Sequence, residues 1–120
     1  MNKEFIPYEQ ALELKELGFN ELCLFYYTDN EALRIYHQSE IYDDLVSAPL
    51  YQQAFRWFRE KYNMLSTVYS NASGFLYEWS DTIGGTHRGW SECEGPNNGG
   101  VWDTYEEAEL ACLKKLIKTL

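Results

Sequence analysis

Positive charge is scarce in this chain. Ten Lys and Arg stand against nineteen Asp and Glu, which gives a net charge of −9 and a pI near 4.6. Affinity for a phosphate backbone rests on Lys and Arg that neutralise it, so this balance predicts no direct nucleic-acid binding. Cysteine is sparse as well. Cys23, Cys93 and Cys112 are an odd number, with no Cys-x-x-Cys pair and no His/Cys ligand spacing. That argues against a disulfide framework or a zinc site and predicts reduced thiols in the cytoplasm. Cys23 and Cys112 sit in apolar patterns and read as small core residues. Long hydrophobic runs are missing too. No stretch approaches the roughly 20 apolar residues of a membrane span, and Met1-Asn2-Lys3-Glu4-Phe5 lacks the apolar core of a secretory signal. The sequon Asn71-Ala72-Ser73 is therefore read as fortuitous. No phosphate loop is present either: Gly84-Gly85 and the glycines of 95–100 are followed by no Gly-Lys-Ser/Thr and open no helix.

Rings are abundant by contrast. Aromatics make up 17% of the 120 residues, ten of them tyrosines, within an apolar share of 45%. A chain of this length and composition predicts one folded domain, with about two-thirds of its unfolded surface buried. Each buried tyrosine hydroxyl then needs a hydrogen-bond partner.

One short pattern recurs three times: Tyr8-Glu9-Gln10-Ala11, Tyr51-Gln52-Gln53-Ala54 and Tyr105-Glu106-Glu107-Ala108. Each copy follows a helix-start signal (Pro7, Pro49, Thr104) and opens an apolar pattern at helical spacing. The spacing predicts helices over 7–17, 49–62 and 104–118. In the first, Tyr8, Ala11, Leu12 and the segment 14–17 form the buried stripe, and Gly18 takes the left-handed C′ position with Phe19 folded back. The second buries Tyr51, Ala54, Phe55, Phe58 and Tyr62, with Trp57 beside the stripe. The third opens on a capping box, Thr104-Tyr105-Glu106-Glu107, and buries Tyr105, Ala108, Ala111, Cys112, Leu116 and Leu120. Its acids precede its lysines, as the helix dipole favours.

Between the helices the pattern turns strand-like. Leu22 to Tyr27 reads as a buried strand, 28–31 as a turn and 32–37 as the returning strand. The polar segment 38–46 is expected to loop over the surface. Leu65 to Tyr69 reads as a short strand. Over 74–80, Phe75, Tyr77 and Trp79 share one face, with Leu76 and Glu78 on the other. Gly84-Gly85 marks a turn, and 86–91 reads as the partner strand. A Gly- and Asn-rich loop spans 92–100, after which Val101-Trp102 returns to the sheet. The order α-ββ-α-ββ-α predicts an α+β fold. Two hairpins would merge into one antiparallel sheet of about four strands, with three helices over one face. Hairpin plus helix occurs twice, which suggests an internal duplication.

The helical stretches together also resemble a known group. They are 5–19 (Phe5-Ile6-Pro7-Tyr8-Glu9-Gln10-Ala11-Leu12 through Leu17-Gly18-Phe19), 48–62 (Ala48-Pro49-Leu50-Tyr51-Gln52-Gln53-Ala54-Phe55-Arg56-Trp57) and 104–117. In wording they are similar to small proteins encoded by phages, prophages and other mobile elements of anaerobic gut bacteria. That family carries no established activity, so no functional residue is transferred. The resemblance implies a setting in which small acidic proteins act by binding and blocking a host machine. The loop from Gly84 to Gly100 departs most from the family.

Candidate chemistry is thin. His87 and Cys93, six apart, outline a nucleophile pair. Glu92 and Glu94 would hold that thiol protonated, however, so catalysis is not expected there. Glu40, Asp43 and Asp44 offer hard oxygen ligands without EF-hand spacing or a glycine at the bend, and read as a solvated acidic loop rather than a metal site. That loop has a second reading, as the docking point for a basic partner or a surface resembling nucleic acid. The rings Trp79, Trp90 and Trp102, with Tyr26 and Tyr77, read as sheet packing or as an outward aromatic platform. Composition and the missing motifs point to a non-enzymatic, cofactor-free acidic protein that binds a partner with a basic surface, and the resemblance implies that this partner is a host protein that it modulates. Glu40, Asp43, Asp44, Trp90 and Trp102 are its candidate contacts. The alternative is a small-molecule or nucleotide sequestering protein, whose aromatic groove stacks a base or sugar while Arg34, Arg56 or Arg88 takes a phosphate.

Overall fold

A computed structural model describes residues 4–28, 31–35, 46–83, 86–92 and 95–120, with 81–83 and 86–92 as backbone. Over these residues the chain runs α1 (Tyr8–Glu16), β1 (Phe25–Tyr27), β2 (Leu33–Ile35), β3 (Val46–Ser47), α2 (Tyr51–Tyr62), β4 (Leu65–Asn71), β5 (Gly74–Ile83), β6 (Thr86–Glu92) and α3 (Tyr105–Thr119). The elements fall into two compact units, Met1–Ala54 and Phe55–Leu120, with the boundary inside α2. The α+β class and the three helices are as the sequence predicts. Among the described residues, no helix is long and apolar enough to cross a membrane.

In the first unit α1 starts directly after Pro7, whose carbonyl accepts the first helical bond from the Ala11 N–H at 2.9 Å. Its end follows the predicted stop. Gly18 takes φ 100, its N–H reaches the Lys15 carbonyl at 3.1 Å, and the Phe19 N–H reaches Leu14 at 2.9 Å. This pair of bonds satisfies carbonyls that a helix end otherwise leaves open, and it brings buried Phe19 over buried Leu14. The buried stripe is rotated from the predicted one. Gln10, Ala11 and Leu14 are buried, Tyr8 and Leu17 are half-buried, and Leu12 is exposed. The Tyr8 ring instead meets the edge of Tyr27, 5.5 Å away.

β1 is the centre of a three-stranded antiparallel sheet in the order β2-β1-β3. Phe25, Tyr26 and Tyr27 pair with Ile35, Arg34 and Leu33 on one side, and Tyr26 and Tyr27 pair with Ser47 and Val46 on the other. At the described ends of the predicted turn, Glu31 takes φ 60 and its N–H lies on the Thr28 carbonyl at 2.9 Å. α1 packs on β3. Side chains tie these short strands to the chain's start. The Tyr27 hydroxyl donates to the Ile6 carbonyl at 2.6 Å, Phe5 meets Phe25 edge-on at 4.8 Å, and the Ile6 N–H bonds Pro49 at 3.0 Å.

Along α2, Tyr51, Ala54, Trp57 and Phe58 are buried. Trp57 therefore belongs to the stripe, while Phe55 and Tyr62 are only half-buried. Asn63 ends the helix at φ 56, a left-handed conformation that Asn tolerates better than most residues. In the second unit β4, β5 and β6 form an antiparallel meander with α3 packed on β4 and β5. Its register runs from Leu65↔Ser80 to Asn71↔Gly74 and from Tyr77↔Glu92 to Ile83↔Thr86. The sequon is the β4–β5 turn itself: Asn71 Oδ1 accepts from the Ser73 and Gly74 N–H groups at 2.8 and 3.1 Å. On β5 the alternation is incomplete, because Leu76, Tyr77 and Trp79 are all buried and Glu78 is exposed. α3 keeps half of its predicted capping box. Thr104 Oγ1 accepts from the Glu107 N–H at 3.1 Å, but the Glu107 carboxylate accepts from the threonine hydroxyl at 2.9 Å. Its buried face is Ala108, Cys112, Leu113, Leu116 and Ile117, whereas Tyr105 and Leu120 are exposed.

One expectation fails at the level of the sheet. Among the described residues the hairpins do not merge into one sheet of about four strands; they form two sheets of three. Each recruits its own third strand. Val46–Ser47 fills the second edge of β1 and Thr86–Glu92 fills the second edge of β5, so neither central strand keeps an open ladder.

Candidate functional site

Most of the residues singled out in the sequence lie beyond what the structure describes. Glu40, Asp43 and Asp44 lie outside the described residues, as do Gly84-Gly85, Cys93 and residues 38–45 of the expected surface loop 38–46, whose last residue, Val46, is instead buried in β3. Trp90 stands on β6 opposite Trp79 in the ladder, and His87 and Arg88 stand on the same strand; their side chains are outside what the structure describes. Trp102 is half-buried and fixed. Its N–H and carbonyl bond Phe75 at 2.9 and 3.0 Å, just past the point where β6 stops pairing with β5, and its ring lies 5.6 Å from that of buried Tyr77. Val101-Trp102 thus returns to the sheet as the sequence predicts, and the Trp102–Tyr77 ring pair is packing. Among the described residues no group of three or more His, Cys, Asp or Glu side chains could hold a metal ion.

A different feature stands out in the first unit. Leu22 and Leu24 are 77% and 79% exposed, the two most exposed large apolar side chains among the described residues, while Cys23 between them is buried. Leu22 to Tyr27 was expected to be a buried strand, yet the ladder begins only at Phe25. The backbone at 22 is held by a side chain rather than by a neighbouring strand. Gln53 Nε2 donates to the Leu22 carbonyl at 3.0 Å, and Gln53 Oε1 lies 3.6 Å from Cys23 Sγ. The same thiol lies 3.5 Å from the Glu21 carbonyl, so its single proton is shared between two acceptors. Burial pushes the Cys23 thiol up to about 11; a Ser47 hydrogen bond opposes this, Glu21 adds to it, and Gln53 opposes it. The thiol is therefore a neutral anchor and a poor nucleophile. One glutamine on α2 thus grips two successive residues of the segment that leads into β1, with the cysteine turned inward and both leucines turned outward.

The local signal for this segment is weak: the small thiol alternates with two leucines in Glu21-Leu22-Cys23-Leu24, but these residues form no strand and Leu24 lies at a bend, so strand periodicity does not assign their faces. The electrostatic setting is one-sided. Residues 1–54 carry ten acidic and three basic side chains, whereas 55–120 carry nine and seven. Glu21 adjoins Leu22 directly.

No protein family, curated protein or solved structure matches the chain.

Proposed function

We propose that the chain is a non-enzymatic protein that acts by binding another protein. The observation that carries this reading is the braced Leu22-Cys23-Leu24 segment. Scattered exposed leucines are ordinary on protein surfaces. Two of them on one segment, each about four-fifths exposed and held by a buried thiol and a glutamine amide, are a pre-organised apolar anchor. Burying one such side chain is worth about 1.5–3 kcal/mol, and a segment fixed before binding loses little further entropy on docking. The resemblance of the helical stretches to mobile-element proteins implies a host protein as the partner, with inhibition or modulation as the outcome.

The test is affinity capture with the immobilised chain from a lysate of an anaerobic gut bacterium, followed by identification of both proteins and small molecules. The expected result is a stoichiometric protein partner. Recovery of a bound nucleotide or sugar with no protein would overturn the reading in favour of sequestration.

A further inference from the structure

The braced segment also carries information about what sits on it. We infer that Leu22 and Leu24 dock against an apolar segment rich in Lys and Arg on a different protein. This rests on the protein-binding reading above and adds the surface and the chemistry of the partner.

Charge selects among the possible occupants. The unit that displays the leucines holds ten acidic side chains against three basic ones. A second copy of this chain would bring another net −9, so self-association through this face works against like-charge repulsion. An anionic lipid surface or a nucleic acid would be repelled for the same reason. A basic protein surface is attracted by the unit's excess of acid. Apolar anchors at the centre and charges at the rim divide the work: the leucines set how long the complex lasts, and the acids set how fast it forms.

The braced geometry makes the proposal specific. Substituting outward Leu22 or Leu24 removes contact area without touching the Gln53 bonds, which use the Leu22 backbone carbonyl and the Cys23 thiol. The double variant Leu22→Ser/Leu24→Ser is therefore expected to fold as the wild type, which its circular dichroism and melting curve would show.

The experiment uses the full chain as bait against a random dodecamer peptide library. Enriched peptides are expected to combine large apolar residues with an excess of Lys and Arg. Their affinity should fall roughly tenfold or more for the double variant. Raised salt should slow association several-fold with little change in dissociation. Enrichment of uncharged or acidic peptides, full binding by the double variant, or no enrichment at all would each overturn the proposal. So would light scattering that shows a wild-type dimer lost in the double variant, since the occupant would then be a second copy. If a protein is captured from lysate equally well by the double variant, the binding function stands and this surface is wrong.

Discussion

The two sheets of this protein are built from similar parts and held together differently. In the second unit the strands run for seven, ten and seven residues, and the β4–β5 and β5–β6 ladders are continuous over seven pairs each. Backbone bonds and a helix laid across β4 and β5 hold that sheet. In the first unit the strands are three, three and two residues long. So short a ladder is marginal by itself. Its cohesion comes from side chains: the Tyr27 hydroxyl on Ile6, Phe5 against Phe25, and Gln53 across Leu22 and Cys23. A sheet stapled by side chains can leave neighbouring backbone outside the ladder and apolar residues outward, because the staples replace the ladder. The apolar display and the excess of acid fall in the unit built this way.

The largest effects should come from the buried alanines of the recurring tyrosine–alanine pattern, because Ala54 and Ala108 are both fully buried. Ala54→Asp or Ala108→Asp places a carboxylate where nothing solvates it, at a cost of more than about 4 kcal/mol, so either should unfold its unit. Thermal melts within a few degrees of wild type would show that these positions yield. Amide exchange sharpens the comparison. The amides of β5 are expected to be the slowest in the chain and those of β1 to β3 to exchange earlier; the reverse order would break the contrast.

Next in size is Gly74→Ala, which tests the second unit. A Cβ there would stand 2.7 Å from the Trp102 carbonyl oxygen and 2.9 Å from Val101 Cγ2, and the backbone sits at φ 154. Both the close approach of 101–102 and the conformation require glycine. A loss of about 2 kcal/mol in denaturant unfolding is expected, with Trp102 fluorescence shifting as its bridge to Phe75 opens. The matching change in the first unit is Tyr27→Phe. It keeps the ring against Tyr8 and removes only the hydroxyl on Ile6, leaving that carbonyl short of a donor, for about 1–2 kcal/mol. If Tyr27→Phe proves neutral, side-chain stapling is not what holds the short sheet.

Much of this fold is legible in the sequence, and what is missed shares one cause. Local signals survive intact. Gly18 ends α1 by a conformation that only the chain's immediate neighbours determine, Thr104 caps α3, and Gly-flanked 74–80 forms a strand. Signals that depend on distant residues do not. The single merged sheet fails because two-residue β3 carries no periodic pattern yet fills the edge of β1. The stripes on α1 and α3 are rotated because Gln10 is buried while Leu12, Tyr105 and Leu120 are not, and tertiary contacts decide that. The duplication idea is caught between these levels. Both hairpins form and each is followed by a helix, but the first sheet centres on its first strand and the second on its middle one. Leu22 and Leu24 escaped for the same reason: their exposure depends on Gln53, some thirty residues along the chain.

The smallest expected effect separates the units by pH. Glu109 lies half-buried on α3, where burial and then the charge of Glu106 push its carboxyl up to about 7. Among the described residues no cation or hydrogen-bond donor pairs with it. In the unfolded chain the same group titrates near about 4.3. Between those values the folded state holds a proton that the unfolded state has released, so stability is fully present below about pH 4 and declines as pH rises towards 7. Solvent reaches part of this side chain, and screening trims the effect. Glu109→Gln stays neutral throughout. Its melting temperature should match wild type near pH 4.5 and exceed it at pH 8, with the gap opening across the interval. A variant in the first unit such as Tyr27→Phe should lower the curve by a constant amount instead. Parallel wild-type and Glu109→Gln curves would mean that the carboxylate is solvated enough to ionise normally, and α3 would then stand on its apolar face and its Thr104 cap alone.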